Sequence, residues 1–139
     1  MTAMNVEPYL LFTGNCEEAL KHYAKVLNGT IEAMMTAEGT PAEPHMPADW
    51  KKKILHARLR VGDGAILASD APPGRQSPMG GFNVTLNVKS VAEAKRIYDA
   101  FLDGGKSDMP FGPTFFAAGY GMVKDKFGTP WIIICQAEG

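Results

Sequence analysis

Cys16-Glu17-Glu18-Ala19-Leu20-Lys21-His22-Tyr23 returns in outline, 75 residues further on, as Val91-Ala92-Glu93-Ala94-Lys95-Arg96-Ile97-Tyr98. At that offset Glu18 meets Glu93, Ala19 meets Ala94, Tyr23 meets Tyr98, Leu27 meets Leu102 and Gly29 meets Gly104. The apolar positions fall three and four apart in both copies, so each copy predicts a helix with one buried face. Asn15 stands where a cap would precede the first helix. Ser90 stands before the second, with Glu93 placed for a reciprocal capping box. Neither half is long enough to bury a comfortable core alone, so the duplication predicts two modules that complete each other's core.

Strands flank each helix. Tyr9 to Phe12 is short and strongly apolar, Thr30 to Thr36 follows the break at Asn28-Gly29, and Ile54 to Val61 alternates. Gly62-Asp63-Gly64 predicts a tight hairpin turn into a strand over Ala65 to Ser69. The proline-bearing run from Ala37 to Asp49 has neither period and is expected to be a long loop, with the character of a flap. Residues 71–81 have linker composition. The second module resumes with strands over Phe82 to Val88, Lys106 to Pro110, Thr114 to Ala118, Tyr120 to Lys124 and Trp131 to Cys135. The expected fold is α+β, with tandem βαβββ modules over about 8–70 and 82–136 forming curved mixed sheets around a cleft. The whole chain, 1–139, is expected to be a single domain.

Composition narrows the classes of function. With 45% hydrophobic and 21% charged residues, the chain belongs with ordinary globular proteins rather than disordered ones. A net charge of -1 and a single basic run, Lys51-Lys52-Lys53, with no interleaved aromatic residue, give no reason to expect nucleic acid. No apolar run is long enough to cross a membrane, and the N-terminal residues do not read as a leader, so the cytoplasm is the expected compartment. Cys16 and Cys135 are expected to be reduced thiols, the first packed on a helix face.

The pattern resembles the vicinal oxygen chelate superfamily (glyoxalase, bleomycin-resistance and dioxygenase-like proteins), and within it the PhnB-like branch. The resemblance covers essentially residues 8–136. It is carried by Pro8-Tyr9-Leu10-Leu11-Phe12, Gly14 to Ala19, His22-Tyr23, His56-Ala57-Arg58-Leu59, Ser69-Asp70-Ala71 and, most specifically, Gly119 to Trp131. It implies a small-molecule-binding protein and a homodimer. Metal-using members place ligands on strands of each module, and the resemblance carries those positions to Pro8, Ala68, Asn83 and Ile132. Three of these side chains offer no donor atom, and the Asn83 amide is a weak neutral ligand. The expectation is therefore no metal and no cofactor, with a divalent ion as the lesser alternative.

The polar residues left for a pocket are His56 and Arg58, which share a strand face by period two, Asp70, and Asn83 with Thr85. His56 is the candidate acid or base, because an ordinary imidazole titrates near neutrality. Asp70 is the second catalytic candidate, although a capping or loop role suits it as well. Arg58 suits an anion contact or a paired strand residue equally. Two alternatives to a binding protein stay open. One is a lyase, isomerase or dioxygenase-like enzyme using His56, and the other is a structural protein with a vestigial pocket. His45 lies in the proline-containing loop and is expected in solvent. The glycines form no phosphate loop or dinucleotide fingerprint.

Overall fold

Both repeats become helices of the same length, and each packs on a sheet of its own. The computed structural model describes residues 4–136; Met1, Thr2 and Ala3, part of the stretch read for a leader, lie outside them. The chain divides into two units between Ser77 and Pro78, within the expected linker.

In the first unit β1 (Tyr9–Phe12), α1 (Cys16–Leu27), β2 (Thr30–Thr36), β3 (Ile54–Val61) and β4 (Gly64–Asp70) follow in order. The sheet order is β1-β4-β3-β2, with β1 parallel to β4 and the other neighbours antiparallel. The second unit repeats this with β5 (Val84–Asn87), α2 (Val91–Leu102), β6 (Lys106–Gly112), β7 (Gly119–Lys124) and β8 (Pro130–Cys135). Its order is β5-β8-β7-β6, with β5 parallel to β8. The fold is thus α+β, built of tandem βαβββ modules forming two mixed sheets.

Each core lies between a helix and one sheet face. In the first unit Leu10 and Phe12 are buried against α1, the Phe12 ring 6.4 Å from that of Tyr23, while Tyr9 and Leu11 alternate outward. In the second, Trp131 of β8 stacks on Phe101 of α2 with ring centroids 4.6 Å apart.

Three local expectations change. Thr114 to Ala118 is no strand; the segment folds back on itself, the Thr114 amide donating to the Ala117 carbonyl, and Phe115 and Phe116 are exposed. The 37–49 loop contains 3-10 turns at Glu43–His45 and Ala48–Trp50, and is anchored at its end rather than free. Trp50 is buried, and Lys53 Nζ beyond it donates to the Gly14 carbonyl at 2.9 Å. Asn15 makes no side-chain cap, whereas the Ser90 hydroxyl does accept from the Glu93 amide. The return half of that capping box is missing, because Glu93 pairs with Arg96.

The offset of 75 holds through the helices and shifts on either side of them. After α1 the left-handed residue is Asn28, but after α2 it is Gly104. The glycine that matches Gly29 is accordingly Gly105. A Cβ on Gly29 would meet the Arg60 carbonyl at 2.7 Å, and one on Gly105 would meet the Lys124 carbonyl at 2.2 Å. Both positions are small because a strand backbone passes directly over the helix exit.

In the first strands, Leu10 and Phe12 face α1. In the second unit β5 pairs Val84 with Trp131 and Leu86 with Ile133, which puts Val84 and Leu86 on the α2 side. An offset of 75 therefore turns this strand over. Ala68 lies on the helix face of its sheet and Ile132 on the opposite face of its own, so the four positions carried over for a metal do not share equivalent faces.

Candidate functional site

Asp70 and His56 occupy opposite faces of the first sheet. Ala57 pairs with Ala68 and Leu59 with Ile66, and all four are buried beneath α1. Asp70 shares the parity of Ala68 and points to that side. His56, Arg58 and Arg60 point away, on the face they share with Tyr9, Leu11, Leu67 and Ser69.

Asp70 is buried, and its carboxylate is occupied by the backbone. Oδ1 accepts from the amides of Gly14 and Cys16 at 2.9 Å each, and Oδ2 accepts from Ile54 at 2.9 Å. A side chain from the end of β4 thus supplies the cap that Asn15 does not, and also ties down the start of β3. It further affects Cys16. Burial, then the charges of Asp70 and Glu17, push that thiol up to about 12, so it stays protonated and unreactive at neutral pH.

On the other face the Tyr9 hydroxyl lies 3.2 Å from His56 Nδ1, with ring centroids 5.8 Å apart. This contact fixes the orientation of the imidazole. Arg58 is a paired strand residue rather than a free anion contact. Its guanidinium reaches Glu7 through Nη1 at 3.0 Å and Glu32 through Nε at 2.9 Å. Arg60 Nε donates to the second oxygen of Glu32 at 2.8 Å. The hydrogen bonds from Arg60 and then Arg58 hold the Glu32 carboxyl below its ordinary range, while Glu7 and then Glu32 raise Arg58 further.

The remaining candidates, Asn83 and Thr85, belong to the second unit. Both are exposed, and Thr85 shares a face with Ile132. Their nearest structural rival as a functional polar residue, Asp125, is committed to its turn. Its Oδ1 accepts from Phe127 and Thr129 at 2.8 and 3.1 Å, and Oδ2 accepts from Trp131 Nε1 at 2.8 Å. Among the described residues no group of three or more His, Cys, Asp or Glu side chains is placed to hold a metal ion. His45 is exposed.

Sequence reasoning passed over Tyr9, Ser69, Glu7 and Glu32. Tyr9 sits in an unbroken apolar run, which hides which side it faces. Period two would have placed it with Leu11. Arg58 and Arg60, two apart on one strand, signalled a need for acids on the neighbouring strands.

The sequence profile of the family described as 3-demethylubiquinone-9 3-methyltransferase matches residues 4–134. The chain belongs to this family. Protein YjdN of Escherichia coli (strain K12) is 35% identical over 141 residues, covering 94% of each chain. The crystal structure of protein PA1353 from Pseudomonas aeruginosa shares 46% identity with a TM-score of 0.88, covering 96% of this chain and 98% of that one. A Bacillus cereus structure described as a 3-demethylubiquinone-9 3-methyltransferase, PhnB protein, is similar in fold alone. It has 17% identity and a TM-score of 0.75, over 95% of this chain and 99% of that one. The fold is that of the vicinal oxygen chelate superfamily, with a PhnB protein among its structural neighbours.

Proposed function

We propose that the chain binds a small organic molecule on the face of its first sheet away from α1, with the Tyr9–His56 pair as the polar contact. The carrying observation is that pair set among half-exposed apolar side chains. Tyr9 is 44% exposed, Leu11 45% and Met35 46%, and Leu67 lies on the same face. A few oriented polar groups within an apolar surface are what small-molecule sites offer. His56 and Arg58 are the ligand-facing candidates on this face, while Asn83 and Thr85 belong to the second unit. Asp70 serves it indirectly, by fixing the strand from which His56 and Arg58 project.

An acid–base role for His56 is the second reading, favoured by the hydrogen bond between Tyr9 and His56 that steadies the ring. Methyl transfer, which the family's description names, gains no support from the site. Each sheet has only one parallel pair, and the sequence has no glycine-rich turn of the dinucleotide-binding kind. We place the protein in the cytoplasm as a homodimer; the exposed Phe115 and Phe116 are the surface that a second copy would cover. No helix among the described residues is long and apolar enough to cross a membrane.

The test is mass spectrometry of molecules that co-purify with the protein, followed by thermal-shift titration of those molecules. Tyr9→Phe and His56→Ala should each weaken the stabilisation. Ligands that stabilise both variants as well as the parent protein would remove this face from consideration.

A further inference from the structure

We infer that the ligand of the Tyr9–His56 face is an uncharged molecule with an apolar body and a hydroxyl or carbonyl group. This rests on the binding reading above and narrows it.

The charges on this face already balance one another. It carries Arg58 and Arg60, and both are engaged by Glu7 and Glu32. Arg58 meets both carboxylates at once, with Nη2 3.0 Å from Glu7 Oε2 and Nε 2.9 Å from Glu32 Oε1. At Arg58 a phosphate, phosphonate or carboxylate would have to displace one of these acids to gain a two-pronged contact, leaving a carboxylate without its partner. Planar, two-pronged pairing is what arginine offers an incoming anion, and here that valence is spent within the sheet.

The groups left to meet a ligand carry no fixed charge. They are the Tyr9 hydroxyl and the His56 ring; Ser69, which pairs with Leu11 across the β1–β4 ladder, lies buried on the same face. Leu11 and Met35 supply exposed apolar surface beside them, Met35 standing opposite His56 on β2. Uncharged hydrogen-bonding groups beside apolar surface select a neutral molecule, because a charged one would lose hydration without gaining a counter-charge.

Benzyl alcohol, benzoate and phenylphosphonate test this with one ring and three charges. They are titrated at about pH 8.5, where an ordinary imidazole is neutral, and followed by amide chemical shifts in the full-length protein. Benzyl alcohol should shift the amides of Leu11, His56 and Ser69, and bind at least about tenfold more tightly than either anion. Glu7→Gln should narrow or reverse that preference by freeing one side of Arg58. Glu32→Gln provides the same test from the other strand if the first variant folds poorly. Tighter binding of either anion by the parent protein overturns the inference and leaves the binding face intact. If none of the three probes shifts these amides, both the inference and the binding reading fall.

Discussion

Asp70 in the first unit and Asp125 in the second are both buried, and each accepts three hydrogen bonds, yet they hold different things together. Asp70 joins elements distant in sequence, since its acceptors serve the start of α1 and the start of β3 from the end of β4. Asp125 works within its own hairpin, bonding the turn after β7 and the Trp131 indole on β8. The second unit caps its helix locally, with Ser90. Two modules with one strand order therefore keep their shape by a long-range tie in one case and by local ties in the other.

Removing each carboxylate should expose that difference. Asp70→Ala leaves three buried or half-buried amides without their acceptor, so the expected cost is roughly 3–5 kcal/mol in urea unfolding. Hydrogen exchange should speed up at Gly14, Cys16 and Ile54 together, although Ile54 is far from the others in sequence. A loss confined to the α1 start would mean that Asp70 is only a helix cap. Asp125→Ala should cost about 2–4 kcal/mol, with faster exchange at Phe127 and Thr129 and a change in Trp131 fluorescence. The ranking would be reversed if Asp125→Ala proved the more damaging. Since the whole chain is proposed to be one domain, both variants should unfold in a single transition.

How far the sequence announced this structure depends on whether its signals are local. The helices and most strands were readable because the apolar spacing of Cys16 to Leu27 and Val91 to Leu102 is set by their own neighbours. The Asp125 turn is local in the same sense, its acceptors and donors lying within six residues. The role of Asp70 was not, because its partners lie up to 56 residues away and a nearer candidate, Asn15, occupied the expected cap position. The face of β1 was hidden for a different reason. Tyr9-Leu10-Leu11-Phe12 is apolar throughout, so only pairing with β4 decides that Tyr9 joins His56. Arg58 shares a face with His56, as period two implies, but whether it was free depended on Glu7 and Glu32, which belong to other strands or lie outside them.

The matched glycines sharpen the same comparison at a smaller scale. Gly105→Ala would set a Cβ 2.2 Å from the Lys124 carbonyl, and Gly29→Ala would set one 2.7 Å from the Arg60 carbonyl. Backbone atoms cannot swing aside as a side chain does, so each should destabilise by about 1–3 kcal/mol, with Gly105→Ala the worse. Gly104→Ala tests the corrected match. Its penalty should come from its φ of +79° and from crowding by the Lys126 side chain, not from contact with a strand backbone. Equal damage at Gly29 and Gly104, with Gly105 tolerant, would restore the offset of 75 beyond the helices.

The smallest expected effect is the acid response of the Glu32 pair. Its two arginines hold the folded-state carboxyl below the ordinary glutamate value of about 4.3. A carboxylate depressed on folding binds fewer protons in the native state than in the unfolded one across that interval. Its contribution is therefore complete above the ordinary value and is lost as pH falls through the lowered folded value. Glu32→Gln should cost little stability at pH 7, because the pair is exposed, and should flatten the acid limb of the stability profile. Urea midpoints of the parent and the variant across the acid range decide it. An unchanged acid limb would show that Glu32 positions Arg58 without contributing measurably to folding, which would leave its effect on ligand charge as its only test.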